Sequence, residues 1–295
     1  MDKDANREYK DTVFKMIFKQ PENALSLYNA VNGSVYDDAD MLEINTLENA
    51  VYMNIKNDIS FLMMNQINLY EHQSTYTPNM PLRDLLYVSA LIQKHVMTQS
   101  LYSRKRIMLP NPRFIVFYNG VEEMPEVTEH RLSDSFCRQE EQPGLELKVT
   151  ILNINQGMNE ELKNKCSMLG EYMIYVGKVR EYAKEMSLKS AVEKAVDECI
   201  HENVLKEFLT VQKAEAIKMS IYEYDEEREL RIIREDERAM GEEIGRNEGI
   251  NAVVEILREL NMPEKVMIEK IIDKFGLSYE KAEEYLAGKC SAAMQ

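Results

Sequence analysis

The sequence predicts an α/β fold in which helices flank a mixed sheet. The run RFIVFY over residues 113–118 is continuously apolar and aromatic, which is typical of a strand buried on both faces. Leu145–Ile154 alternates in polarity and predicts a second strand. Two shorter β-like runs, Asp58–Met64 and Ile67–Gln73, flank a polar two-residue junction and predict a hairpin. Helical patterns precede, separate and follow these strands, and that order is typical of an α/β core.

The helices are predicted from the spacing of apolar residues and from signals at their ends. Residues 9–32 have helical spacing, which Pro21 interrupts before Gly33 provides a C-cap. From Glu160 to about Leu209 the pattern is helical throughout. Between the strands, Met80–Tyr102 is predicted as a long helix. Its apolar stripe comprises Leu82, Leu85, Leu86, Ser89, Leu91, Ile92 and Val96.

The C-terminal part of the chain is predicted as a helical extension. Residues 211–249 are rich in charge and glycine, and we interpret them as a solvated helix or a semi-ordered linker. Residues 250–295 form a small helical unit, with one helix near 251–260, a second between Pro263 and Gly276, and a third capped by Ser278. Residues 1–210 then form the main domain.

Composition excludes several classes of protein. The chain contains no run of 18 uncharged apolar residues, so no transmembrane helix is expected. The N-terminus is charged from its second residue, and the four cysteines form no CxxC pair, so we expect a cytoplasmic protein with reduced thiols and no membrane partner. Neither GxGxxG nor GxxxxGK[ST] occurs, and no nucleotide cofactor is therefore predicted.

The charge distribution contains one basic island in an acidic chain. The formal net charge is −15, which argues against a nucleic-acid partner. Residues 83–113, however, carry six basic residues against the single acid Asp84. Such an island could contact phosphates, or Arg104, Lys105 and Arg106 could form a solvated turn after a helix.

The predicted hairpin carries two acids on one face. If Asn65-Gln66 forms the turn, Met64 pairs with Ile67, and Asp58 lies opposite Gln73. Ser60 then lies opposite Glu71, and Asp58, Glu71 and Gln73 share a face. A four-residue loop gives the same register, whereas a three-residue loop without a bulge would put Asp58 on the other face. The side chain of His72 points to the opposite face, where we expect it to pack under the long helix.

Two converging carboxylates can bind a hard divalent cation. With water and phosphate oxygens, Asp58 and Glu71 could hold Mg²⁺ or Mn²⁺, and the backbone carbonyl of His72 is a plausible third ligand. Such a metal activates water for attack on a phosphodiester, which Gln73 could help to position. Alternatively, the acids are only polar residues on the wet face of a half-exposed hairpin.

Longer strings resemble a known nuclease family. NDISFLMMNQINLYEHQSTYTPNMPLRDLLY, then LYSRKRIMLPNPRFIVFYNG and RLSDSF, resemble the family of recombination-promoting nucleases and transposases in the PD-(D/E)XK superfamily. YKDTVFKMIF and NINQGMNEEL are also similar, so the resemblance covers about residues 9–210. It implies a restriction-endonuclease-like core and Mg²⁺-dependent DNA cleavage associated with recombination.

The resemblance also implies roles for individual residues. Asp58 and Glu71 take the places of the two motif acids, and Gln73 stands where most of the superfamily has lysine. Lysine would stabilise developing charge, whereas glutamine offers only a dipole, so activity is expected to be reduced. Lys56 is a candidate for a migrated cation or is a solvated strand-end charge. Arg83 could contact a phosphate or bridge to the hairpin acids.

Two functions from different classes follow. The first is a Mg²⁺-dependent DNA endonuclease in which Asp58, Glu71 and Gln73 form the active site and the basic island contacts the DNA backbone. The second is a catalytically weak or inactive DNA-binding or assembly protein on a nuclease scaffold, which Gln73 and the net charge favour. In either case we expect the C-terminal helical region to drive self-association or to serve as a solubilising appendage.

Overall fold

A computed structural model describes residues 13–44, 58–97 and 100–287, with the backbone alone at 225–230, 233 and 236. The chain divides into two compact units between Glu227 and Arg228. Among the described residues, no helix combines the length and the apolar character needed to cross a bilayer.

The first unit is built on a six-stranded mixed sheet, as predicted. The strand order is β1-β2-β3-β4-β6-β5, with β3, β4 and β6 parallel and the remaining neighbours antiparallel. The strands are β1 (Glu43–Ile44), β2 (Ile59–Met63), β3 (Gln66–Gln73), β4 (Asn111–Tyr118), β5 (Val127–Arg131) and β6 (Lys148–Asn153).

The two outermost strands were not predicted from the sequence. Strand β1 has two residues, both exposed, and β5 alternates between exposed and half-buried residues. Such short or polar edge strands lack the apolar signal on which strand prediction depends.

Within the described part of this unit, seven α-helices precede the long charged segment. They are α1 (Val13–Phe18), α2 (Pro21–Asn32), α3 (Met80–Val96), α4 (Glu160–Lys165), α5 (Ser167–Tyr182), α6 (Leu188–His201) and α7 (Lys206–Val211). The predicted break at Pro21 and C-cap at Gly33 are confirmed, since Pro21 opens α2 and Gly33 adopts a φ of 65°.

Two helix predictions were wrong in their extent. Helix α3 ends at Val96 and not at Tyr102. The segment after Glu160 consists of four helices, because the backbone leaves helical geometry at Cys166, over 183–187 and over 202–205. Asn203 and Leu205 have positive φ values although neither is a glycine, so no glycine in the sequence signals this break.

The sheet separates two apolar cores. One face packs against α1, α2, α5 and α6, and side chains of alternate residues such as Phe61, Tyr70 and Phe117 enter that core. The other face packs against α3, where Leu69 and Val116 meet Tyr87. Successive residues of β3 and β4 therefore face different helical layers, as alternation along a strand requires.

The buried stripe of α3 differs from the predicted one. Its buried residues are Met80, Pro81, Asp84, Tyr87, Val88 and Leu91. The predicted stripe included Leu82 and Leu86, which are exposed. Asp84 lies at the centre of the buried face. The predicted face was wrong because it was chosen from the positions of apolar residues alone.

The C-terminal helices end where the sequence signals predict, but the separate helix predicted near 251–260 was wrong, because these residues form the last part of a longer helix. Helix α8 (Lys213–Glu259) is continuous through the charged segment, for which both a solvated helix and a semi-ordered linker were considered. Helix α9 (Glu264–Phe275) ends at Gly276 with a φ of 64°, and α10 (Tyr279–Leu286) begins after Ser278, whose side chain accepts a hydrogen bond from the Lys281 amide at 3.3 Å. Residues such as Val254, Ile268 and Ile271 form a separate apolar core in the second unit.

Candidate active site

The β2–β3 turn determines which residues face each other across the hairpin. Met64 and Asn65 have φ values of 49° and 59°, as in a type I′ turn, and Met63 pairs with Gln66. The predicted turn at Asn65-Gln66 was therefore wrong by one residue. Moving the turn by one residue moves every cross-strand partner by two residues, so each side chain stays on its predicted face of the hairpin. When the observed register is extended beyond Ile59, Asp58 lies opposite Glu71 and not opposite Gln73.

The structure brings Asp58 and Glu71 together at the carboxyl end of β3. The Asp58 amide donates a hydrogen bond to Glu71 Oε1 at 3.1 Å. In return, Asp58 Oδ2 accepts a hydrogen bond from the amide of His72 at 2.8 Å. Each carboxylate is thus held by the backbone of the other strand, and the two lie on the face that packs against α3.

Burial makes the Glu71 carboxyl reluctant to ionise. Only 3% of Glu71 is exposed. Desolvation raises its pKa well above the ordinary value, and the charges of Asp58 and Asp84 raise the pKa further. Arg83 and the Asp58 amide oppose these effects only in part. A cation bound beside Glu71 would favour the ionised form that burial disfavours.

Arg83 bridges Glu71 and Tyr87. One of its terminal nitrogens lies 3.7 Å from Glu71 Oε2 and donates a hydrogen bond to the Tyr87 hydroxyl at 3.0 Å. Burial, together with Glu71, raises the pKa of Tyr87 to about 12, so the phenol stays protonated. The Arg83 side chain is 44% exposed, so it contacts the hairpin acid while remaining accessible to a ligand from solvent.

Asp84 is a third acid, which was not predicted from the sequence and whose charge acts on Glu71. It is 1% exposed and lies on the buried face of α3. Its Oδ1 has no hydrogen-bond partner among the described residues, and burial raises its pKa to about 7. The signal in the sequence was the helical recurrence of Met80, Tyr87 and Leu91 around an aspartate.

Gln73 and His72 occupy opposite faces of β3. The Gln73 side-chain amide contacts the sulfur of Met80 at the start of α3 and not either acid. The His72 ring lies on the other face, as alternation predicted, but its predicted position under the long helix was wrong. It packs against Phe14 of α1 and Tyr172 of α5, because that face of the sheet belongs to the other core.

The structure separates the residues of the basic island. Arg104, Lys105 and Arg106 are exposed in the loop before β4. Strand β4 begins beside Gln66, the first residue of β3, whereas Glu71 lies near the other end of β3. The basic island of the sequence is therefore divided between Arg83, in the first turn of α3, and a loop at the other end of β3. Lys56 lies outside the described residues.

The acid pair could supply part of a metal site. Among the residues that the structure describes, no three His, Cys, Asp or Glu side chains are grouped closely enough to hold an ion. A divalent cation at Asp58 and Glu71 would need further oxygen ligands from a backbone carbonyl such as that of His72, from water or from a phosphate. Mg²⁺ is commonly bound in this way, through one or two carboxylates with water and phosphate oxygens.

Comparisons of the chain with protein-family models, with curated proteins and with solved structures gave no match.

Proposed function

We propose that this chain is a Mg²⁺- or Mn²⁺-dependent DNA endonuclease of the PD-(D/E)XK type that hydrolyses phosphodiester bonds during DNA recombination or transposition. The observation that carries the proposal is the reciprocal backbone-held pair of Asp58 and Glu71 at the carboxyl end of β3. The resemblance to the recombination-promoting nucleases supports the choice of DNA as substrate.

Each residue of the site has a defined task in this proposal. Asp58 and Glu71 would hold the cation, with the His72 carbonyl as a further ligand, and the bound cation would polarise the phosphodiester and activate water. Arg83 would leave Glu71 to donate hydrogen bonds to a phosphate oxygen, which its exposure allows. Gln73 would orient the phosphate or the attacking water by its amide dipole.

The overall charge limits how the protein would bind DNA. A net charge of −15 would oppose non-specific association, and phosphate contacts by a few cations would make the affinity strongly salt-dependent. Arg104, Lys105 and Arg106 are exposed and could contact a duplex at a distance from the acid pair.

Three cysteines of the described residues, Cys137, Cys166 and Cys199, are free thiols, which supports a cytoplasmic location.

The decisive experiment removes one carboxylate at a time. Asp58→Asn and Glu71→Gln should each abolish Mg²⁺-dependent nicking of plasmid DNA, because neither amide provides the negative charge that the cation needs. Glu129→Gln is the matched control, since Glu129 is an exposed acid that pairs with Arg131 and Lys148 on β5 and β6. Nicking that persists in both site variants, purified and folded, would reject the site.

A second candidate is a catalytically weak or inactive DNA-binding or assembly protein on the same scaffold. The observation that favours it is Gln73, which replaces the motif lysine and directs its amide to Met80. Titration with Mn²⁺ separates the two functions, because a protein that only binds DNA should show no Mn²⁺ site that Asp58→Asn weakens.

We also propose self-association through the C-terminal helical region, which two-ended DNA cleavage would require. Sedimentation should show a larger species for the full chain than for a chain that ends at Glu227, the last residue of the first unit. An unchanged oligomeric state would reject this part of the proposal.

A further inference from the structure

Three helices hold the His72 ring on the sheet face opposite the acid pair. The ring is stacked on Phe14 of α1, with 4.9 Å between the ring centroids. Its Nε2 lies 3.1 Å from the Tyr172 hydroxyl of α5, and its Nδ1 lies 3.7 Å from a carboxylate oxygen of Glu223 of α8. With only 2% of the side chain exposed, the ring has little freedom to move.

The backbone of the same residue holds the acid pair. The His72 amide donates to Asp58 Oδ2, and the preceding residue, Glu71, accepts from the Asp58 amide. The peptide group between Glu71 and His72 is planar, so a displacement of the His72 Cα atom tilts the N–H group that Asp58 accepts. The fixed ring on one face therefore restricts the carboxylates on the other.

The contacts of the ring fit a structural role. Burial, followed by the charge of Arg180, lowers the pKa of His72 to about 3. The Tyr172 hydroxyl can donate to Nε2 while it accepts a hydrogen bond from the Asn119 side chain at 3.4 Å. This anchor consists of neutral groups and is independent of metal.

We propose that His72 is a positioning residue that sets the geometry of Asp58 and Glu71 from the opposite face of the sheet, with Tyr172 as its anchor. The effect on metal binding depends on the proposed nuclease function, whereas the effect on the backbone does not. Mutation of a group that orients a metal ligand without touching the metal commonly changes metal affinity by about 10- to 100-fold. Tyr172 contacts the His72 ring and not a ligand directly, so a smaller change is expected.

The test compares two tyrosines on the same helix. Tyr172→Phe removes the hydroxyl that contacts His72, whereas Tyr175→Phe removes an equally buried hydroxyl that pairs with Ser220 Oγ at 2.6 Å. Hydrogen exchange of the His72 amide is measured by NMR without metal, and the Mn²⁺ dissociation constant is measured by calorimetry. Relative to Tyr175→Phe, we expect Tyr172→Phe to increase His72 exchange about tenfold and the dissociation constant about three- to tenfold.

The outcomes distinguish the two proposals. Equal exchange of the His72 amide in both variants would overturn the positioning role, because loss of a buried hydroxyl would then act only on general stability. Faster exchange in Tyr172→Phe alone, with no Mn²⁺ bound even by the unmodified chain, would support the positioning role and reject the metal-dependent function. If Tyr172→Phe does not fold, Phe14→Leu removes the stacking contact instead and is judged by the same exchange measurement.

Discussion

Replacing Asp84 with asparagine should change how the stability of the protein depends on pH. The Asp84 carboxyl is buried, and its pKa is raised from 3.8 to about 7. Well below pH 3.8 the group is protonated in both the folded and the unfolded chain and does not affect the free energy of unfolding. As the pH rises, the unfolded chain loses this proton first, so the free energy of unfolding falls until the folded carboxyl also ionises near pH 7. Asparagine has a similar shape but cannot ionise.

The size of the effect follows from the shift in pKa. A difference of about 3 pKa units, at about 1.4 kcal/mol per unit, corresponds to about 4 kcal/mol at pH 8. The stability of Asp84→Asn relative to the unmodified chain should therefore rise by about that amount between pH 4 and pH 8. Because Asp84 also raises the pKa of Glu71, part of the gain comes through that neighbour.

Urea unfolding at several pH values measures this difference. The buffers contain EDTA, so that no cation influences the carboxyls, and unfolding is followed by circular dichroism. Asp37→Asn, at an exposed aspartate, is the control and should shift stability by less than about 0.5 kcal/mol at every pH. A constant difference between Asp84→Asn and the unmodified chain from pH 4 to pH 8 would refute the assignment of Asp84 as a buried acid.

Three further predictions concern metal binding, close packing and capping. Because its pKa is raised, Glu71 must lose a proton to bind Mn²⁺. Calorimetry should therefore show an affinity for Mn²⁺ that increases with pH by up to about tenfold per unit, and an affinity that does not change with pH would contradict this coupling. Gly120→Ala places a Cβ atom in steric conflict with the Ser74 carbonyl oxygen and should lower the free energy of unfolding, measured in urea, by about 3 kcal/mol. Gly177→Ala places a Cβ atom in open space on α5 and should raise that free energy by about 0.5 kcal/mol; equal effects of the two substitutions would contradict close packing at Gly120. Ser278→Ala removes the N-cap of α10 and should cost about 1 kcal/mol, and an unchanged melting temperature would contradict the cap.

Local signals predicted the helix ends and central strands because those features depend on neighbouring residues. Pro21 and Gly33 bound α2, and Ser278 begins α10, through backbone geometry and hydrogen bonds within one turn. The run at 113–118 was recognisable because β4 is covered on both faces. Strand β5 was missed because it is an exposed edge whose identity depends on pairing with β6.

The sequence predicted which face of the hairpin carries each site residue, but not which residues pair across the two strands. Alternation along β3 separates Glu71 from His72 whatever the turn, and this much required only the sequence. The turn at Met64-Asn65, with two positive φ values and no glycine, gave no such signal. The pairing of Asp58 with Glu71, and not with Gln73, followed from that turn.

The amino-acid sequence by itself determined the secondary elements with strong periodicity, the caps that end them and the side of the ribbon that carries the acids, because these depend on covalent geometry over a few residues. Only the tertiary structure decided that an aspartate lies on the buried face of α3, that a histidine is enclosed by α1, α5 and α8, and that the basic residues separate. Burial and long-range charge depend on which surfaces meet, and residues distant in the chain determine that.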